Sequence, residues 1–118
     1  MKLKYRKVLI VEDDYLQASD YRNACEAAHC IVVGPVATEA AAIDLLHYEV
    51  PDFAILDLNL GNGISLKVAE ALAEQDVPFA FATGHGCDAI PLKFKSAPCL
   101  GKPIDTSELM ALLERVLL

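Results

Sequence analysis

Five short apolar runs, each bounded by polar, glycine or proline residues, alternate along the chain with stretches in which apolar positions recur every three or four residues. The runs are Lys7–Glu12, Ile31–Gly34, Asp52–Asp57, Pro78–Thr83 and Ala97–Leu100. Consecutive apolar residues leave no polar face, so both sides of each predicted strand need cover. That is the signature of a parallel sheet between two helix layers. The intervening stretches Asp14–His29, Thr38–Tyr48, Ile64–Gln75 and Asp105–Leu117 predict helices, the last with Leu109, Leu112, Leu113 and Val116 on one stripe. Asp105 or Thr106 suits the cap of the last helix, Thr38 starts the second, and Gly63 precedes the third. The pattern is a βα repeat whose strands join through right-handed crossovers.

One unit is cramped. Between Thr83 and Lys102 the chain must place a loop, a helix, a second loop and a strand, while accommodating Pro91 and Pro98. Proline lacks an amide donor and clashes within a helix, so the fourth helix is predicted to be short or irregular, one or two turns at most, roughly Asp88 to Phe94.

With 118 residues the chain fits one domain, 1–118, and leaves no room for an output domain within it. A net charge of −7 argues against nucleic acid, whose binding needs clustered Lys and Arg. The one basic cluster, Lys2, Lys4, Arg6 and Lys7, reads as a solvated arm. No signal peptide or membrane-length apolar run is present, which predicts a cytoplasmic protein. The four cysteines show no CxxC or metal-type spacing, so Cys25, Cys30 and Cys99 read as small buried hydrophobes in a reduced protein. Cys87 lies in a glycine-rich loop, where an exposed thiol is the alternative.

In an open parallel sheet, ligands bind beyond the carboxyl ends of the strands. There the first strand, "KVLIVEDD", ends on Glu12-Asp13-Asp14, the third on Asp57, the fourth on Thr83 and the fifth on Lys102. Each ending alone has an ordinary explanation, such as an acid complementing a helix dipole. Together they crowd carboxylates that repel one another unless a divalent cation sits among them, and oxygen ligands suit Mg²⁺ or Mn²⁺. A phosphoryl group fits the remaining chemistry. Asp57 is then the nucleophile, Glu12, Asp13, Asp57 and the Asn59 backbone carbonyl hold the metal, and Thr83 and Lys102 neutralise the phosphoryl oxygens. Gly84 leaves room for the group to enter, and Gly61 and Gly63 let the loop turn over the site.

The segments "VLIVEDD", "DFAILDLNLGNG", "FATG" and "GKP" resemble, in order and spacing, the receiver domain of two-component response regulators. The resemblance covers essentially the whole chain. It implies an α/β, flavodoxin-like three-layer sandwich with a sheet of order 2-1-3-4-5 and a cis bond before Pro103. It also implies phosphorylation of Asp57 by a histidine kinase or histidine phosphotransfer protein, in a monomer or weak dimer that is a phosphoacceptor rather than a turnover enzyme. Output would pass to a downstream protein target, as a stand-alone regulator or a phosphoryl shuttle or sink. "PFAFATGHG" more narrowly resembles the FAT-GUY type of single-domain receivers from alphaproteobacteria, although His85 and Gly86 depart from that pattern.

Many receivers carry an aromatic switch residue where this chain has Cys99, so activation is expected to rearrange the loop Gly84–Asp88 and the short fourth helix instead. The resemblance implies that Asn59 and His85, at the mouth of the site, tune water access to the acyl phosphate; an exposed loop histidine is the alternative for His85. Competing functions are an aspartyl-phosphate phosphohydrolase, for which Asn59 lacks the second carboxylate, and a degenerate receiver acting as a scaffold. A flavin carrier of the same fold is disfavoured because Glu12-Asp13-Asp14 would repel the cofactor's phosphate.

Overall fold

Alternation within the buried strands decides which helices cover which face. The computed structural model describes residues 3–60 and 63–118. Its strands are β1 (Lys7–Val11), β2 (Ile31–Val36), β3 (Phe53–Asp57), β4 (Phe79–Thr83) and β5 (Cys99–Gly101), all parallel, in the order β2-β1-β3-β4-β5. Successive strand residues point to opposite faces. Leu9, Val11, Ala54, Leu56, Phe79 and Phe81 therefore enter one core layer, and Val8, Ile10, Phe53, Ile55, Ala80 and Leu100 the other. Helices α2 (Glu39–Leu46) and α3 (Leu66–Glu74) cover the first layer through Ala42, Leu46, Val68, Ala69 and Leu72. Helices α1 (Tyr15–Ala27) and α4 (Thr106–Leu117) cover the second through Tyr21, Cys25, Leu109, Leu112 and Leu113. The expected flavodoxin-like architecture is thus present.

The helix starts show how local chemistry places the elements. Asp14 caps α1 by accepting from the Leu16 and Gln17 amides at 2.9 and 3.1 Å, and Thr38 caps α2 by accepting from Ala41. Asp105 caps α4, and its hydrogen bonds from Ser107 hold its carboxyl below the usual range. Helix α3 is capped from outside: Glu39 Oε2 accepts from the amides of Lys67 and Val68, because the Ser65 hydroxyl is turned the other way.

Two expectations need correction. The second strand does not stop at Gly34. There the backbone takes φ +90°, forming an irregularity opposite Leu9–Val11, and the strand resumes to pair Val36 with Val11. A Cβ at Gly34 would lie 2.9 Å from the Val36 amide nitrogen, which explains glycine at this position. The helix between β4 and β5 is short and irregular, as expected: within Asp88 to Phe94 it is a single 3₁₀ turn at Leu92–Phe94, opening directly after Pro91. Its Phe94 packs edge-on against Phe79 and Phe81, so one aromatic anchor replaces the missing helix face.

The second correction concerns cysteine. Cys99 is not a free buried hydrophobe: it is half-buried and forms a disulfide with Cys87, twelve residues earlier, so this pair is not reduced. Sequence spacing missed it because the two sulfurs meet only when β5 pairs beside β4. Cys25 and Cys30 are buried free thiols as expected, and burial pushes Cys25 up to about 12. Gly61 lies outside the described residues.

Candidate functional site

Among the described residues, the buried polar side chains are Glu12, Asp57, Ser65 and Thr83, and all four lie at the carboxyl edge of the sheet. Burying a polar group costs free energy unless it is paired, so this concentration calls for a partner chemistry. Asp57 closes β3, and its backbone is held by β4 on one side, where the Leu58 amide donates to the Ala82 carbonyl at 2.9 Å. Its side chain is fixed at both oxygens. Oδ1 accepts from the Asn59 amide at 3.1 Å, and Oδ2 lies 3.2 Å from Lys102 Nζ.

Lys102 also reaches Glu12 Oε1 at 2.9 Å, so one ammonium bridges two buried carboxylates. Burial opposes its charge, but the hydrogen bonds and charges of Glu12 and Asp57 prevail and raise the amine above its usual value. Glu12 Oε2 accepts from the Asp14 amide at 3.1 Å, while Oε1 has the ammonium nearby but no well-formed hydrogen bond. Burial pushes Glu12 up to about 7 despite Lys102 and the Asp14 amide, and Asp57 adds to the rise.

The three consecutive acids are therefore divided by the structure. Asp14 is spent on capping α1, Glu12 is buried, and Asp13 is exposed beside it. Carboxylate oxygens of Glu12, Asp13 and Asp57 all lie within 4.8 Å of one another. Three hard oxygen donors at this spacing, one of them a buried atom short of a hydrogen bond, fit a small divalent cation. A cleft of about 280 Å³ opens over them, lined in part by Asp13, Asp57, Asn59, Gly84, His85 and Lys102.

Thr83 ends β4 on the far side of Asp57, fully buried, with its Oγ1 accepting from the His85 amide at 3.1 Å. Its carbonyl accepts from the Lys102 amide at 2.9 Å, so Thr83 and Lys102 are carried by directly paired strand ends. Gly84 and His85 are exposed at the mouth of the cleft, and a Cβ at Gly84 would lie 4.0 Å from Lys102 Cβ, within ordinary contact. Pro103 follows a cis bond, as expected.

Ser65 was not anticipated as part of the site. Its hydroxyl donates to the carbonyls of Asp57 and Leu58, tying the loop that follows β3 back onto the strand end. The sequence signal was present but ambiguous: a serine before a helical run reads as a cap.

Fold and site together define a class: a flavodoxin-like α/β domain with an acidic, lysine-bridged centre at its strand ends. Comparison with family models matches residues 8–114 to the response regulator receiver domain. Among solved structures, SdrG from Sphingomonas melonis Fr1 is 38% identical, covering 97% of this chain and 98% of that one, with TM-score 0.83. The signal receiver domain of a protein from Vibrio parahaemolyticus is 28% identical over 96% and 90% of the two chains, with TM-score 0.82. A CheY-like receiver domain from Methylobacillus flagellatus, 22% identical with TM-score 0.82, shares the fold. No curated protein matches the chain. The chain belongs to the response regulator receiver family.

Proposed function

We propose that the chain is a phosphoacceptor of two-component signalling in which the Asp57 carboxylate takes a phosphoryl group from a phosphohistidine. The observation that carries this reading is Asp57 itself, buried at a strand end with both oxygens oriented, beside Lys102, Thr83 and two further acids. In the transfer one P–N bond breaks, one P–O bond to Asp57 forms, and the donor histidine leaves neutral. Hydrolysis of the acyl phosphate returns the carboxylate and inorganic phosphate.

Each neighbour has a task in that step. Asn59 N–H and Lys102 hold the carboxylate in line, so little orientation remains to be paid for at the moment of attack. Lys102 then turns from the bridged carboxylates to the new phosphoryl oxygens, and the Thr83 hydroxyl gives up the His85 amide to donate to them. Glu12, Asp13, Asp57 and the Asn59 carbonyl would hold Mg²⁺ or Mn²⁺, which when bound supplies charge neutralisation at the phosphoryl oxygens. His85 and Asn59 stand where water enters.

The donor is a histidine kinase or histidine phosphotransfer protein, the compartment is the cytoplasm, and the domain acts as an acceptor rather than a turnover enzyme. No described helix is long and apolar enough to cross a membrane. The "FAT" that ends β4, the Gly84 that follows it and the 3₁₀ turn beyond support the FAT-GUY subtype. Incubation with acetyl phosphate and Mg²⁺, or with beryllofluoride and Mg²⁺, followed by intact mass or ¹⁹F detection, tests the reading. SdrG has been solved in a BeF₃-activated conformation, which recommends the reagent. Modification is expected in the wild type and lost in Asp57→Asn; Mg²⁺-independent or absent modification of Asp57 would defeat the proposal.

A further inference from the structure

The disulfide found between Cys87 and Cys99 has no part in phosphoryl transfer, yet its placement is specific. Cys87 lies four residues after Thr83, and Cys99 three before Lys102. Its two ends therefore sit on the chain segments that carry Thr83 and Lys102 into the site. Between them runs the least regular part of the described chain, with one 3₁₀ turn, Ile90 and Phe94 as buried anchors, Pro91, Ala97 and Pro98 half-buried, and the rest exposed. A covalent tie across such a segment restrains its opening more than any single contact within it.

The two pairs of cysteines differ in the property that governs thiol chemistry. Cys25 and Cys30 are buried, and the Cys30 thiol donates to the Leu3 carbonyl, so neither meets reagents readily. Cys87 and Cys99 are half-buried, and the residues flanking Cys87, Gly86 and Asp88, are exposed. Lys95 Nζ donates to the carbonyls of Cys87 and Asp88 at 3.0 and 3.4 Å, so the backbone that carries Cys87 is held to the chain just before Cys99. Nor does the domain need a staple to fold, since two complete core layers enclose the sheet.

We propose that Cys87 and Cys99 form a reversible dithiol–disulfide site, oxidised by hydroperoxides and reduced by small or protein dithiols, that clamps the segment between β4 and β5. Oxidation balances as two thiols and one hydroperoxide giving one disulfide, one alcohol and one water. The Cys87 thiolate takes the terminal peroxide oxygen as a sulfenic acid, and the Cys99 thiolate displaces water from it. The two electrons leaving the sulfurs reduce the O–O bond. Reduction proceeds by exchange: one thiolate of the external dithiol attacks a sulfur of the disulfide, and the second thiol of that dithiol resolves the mixed disulfide, so both cysteines return to thiols and the reductant leaves as its own disulfide.

The consequence for signalling rests on the phosphoacceptor reading above. Drawing Thr83 toward a phosphoryl group frees the His85 amide and the loop behind it. In the oxidised chain that loop is anchored to β5 and follows only in part; in the reduced chain it moves freely.

Two measurements on the full chain decide the clamp without phosphorylation. First, native reduction with dithiothreitol, peroxide re-oxidation and alkylation under denaturing conditions is expected to give four labels on the reduced chain and two on the re-oxidised chain, with Cys25 and Cys30 labelled in both. Four labels after peroxide, or two after native dithiothreitol, overturns reversibility. Second, amide exchange over residues 86–98 is expected to be about tenfold faster in the reduced chain than in the oxidised one. The variant carrying Cys87→Ser and Cys99→Ser should match the reduced chain with or without peroxide. Equal exchange in both redox states overturns the clamp.

Beryllofluoride with Mg²⁺ then tests the coupling, with a larger exchange change over 84–98 expected in the reduced state. An equal change in both states, with Asp57 bound in each, overturns the coupling. Absence of binding at Asp57 in both states instead defeats the phosphoacceptor reading and its coupling together, while labelling and basal exchange still decide the clamp.

Discussion

Glu12 offers a quantitative test of the electrostatics at the strand ends. In the folded chain its carboxyl titrates at about 7, raised from 4.5 chiefly by burial. Between these two values the folded state keeps a proton that the unfolded chain has released. The folded state therefore binds more protons in that window, and stability falls as pH rises through it. The stabilising contribution is fully present below the unfolded value and is gone above the folded one. Working the linkage between pH 5 and pH 8 gives a loss of about 2 to 3 kcal/mol. For a chain of this size that is roughly a 1 M fall in the urea midpoint.

Glu12→Gln removes the titration while its amide oxygen can still accept from the Asp14 N–H. Urea unfolding of wild type and variant, at pH 5 and pH 8 with a chelator present, isolates the residue because other carboxylates contribute to both curves. The wild type is expected to lose about 2 to 3 kcal/mol more than the variant across this range. Parallel pH profiles, agreeing within about 0.5 kcal/mol, would refute the assignment of a raised carboxyl to Glu12.

Three further outcomes follow from other parts of the structure. Mg²⁺ at ten times its dissociation constant should stabilise the wild type by about 1.4 kcal/mol at pH 8 and less at pH 5, where Glu12 is protonated; Asp13→Asn should shrink the effect, and an unchanged melting temperature in the wild type contradicts the cation site. Ser65→Ala takes the hydroxyl donor from the Asp57 carbonyl, while the Leu58 carbonyl keeps the backbone amide of residue 65, and should cost about 1 to 2 kcal/mol in urea unfolding, with slower modification by acetyl phosphate; an unaltered midpoint would show that the tie is dispensable. Gly34→Ala puts a Cβ 2.9 Å from the Val36 nitrogen and 3.1 Å from the Ile10 carbonyl at φ +90°, so a loss of at least about 2 kcal/mol is expected, and a neutral substitution would contradict that geometry.

By itself, the sequence determined the order and type of most elements and the edge on which the polar strand endings gather. Both are local properties. Unbroken apolar runs at Lys7–Val11, Phe53–Asp57 and Phe79–Thr83 demand cover on two faces, and the direction of parallel strands puts Glu12, Asp57, Thr83 and Lys102 at one end. Proline chemistry likewise announced a defective helix between β4 and β5, though not that only the turn at Leu92–Phe94 would survive.

Tertiary structure alone decided how neighbours in sequence divide their work. Nothing local distinguishes Glu12, Asp13 and Asp14, yet one is buried against Lys102, one is exposed and one caps α1. Ser65 looks like a cap until the loop after β3 folds back and aims its hydroxyl at the Asp57 carbonyl, leaving Glu39 of α2 to cap α3. Cys87 and Cys99 become partners only when the β4–β5 crossover closes. The physical reason is common to all three: side-chain periodicity is written over a few residues, whereas a contact between distant residues depends on the paths of the crossovers that join them.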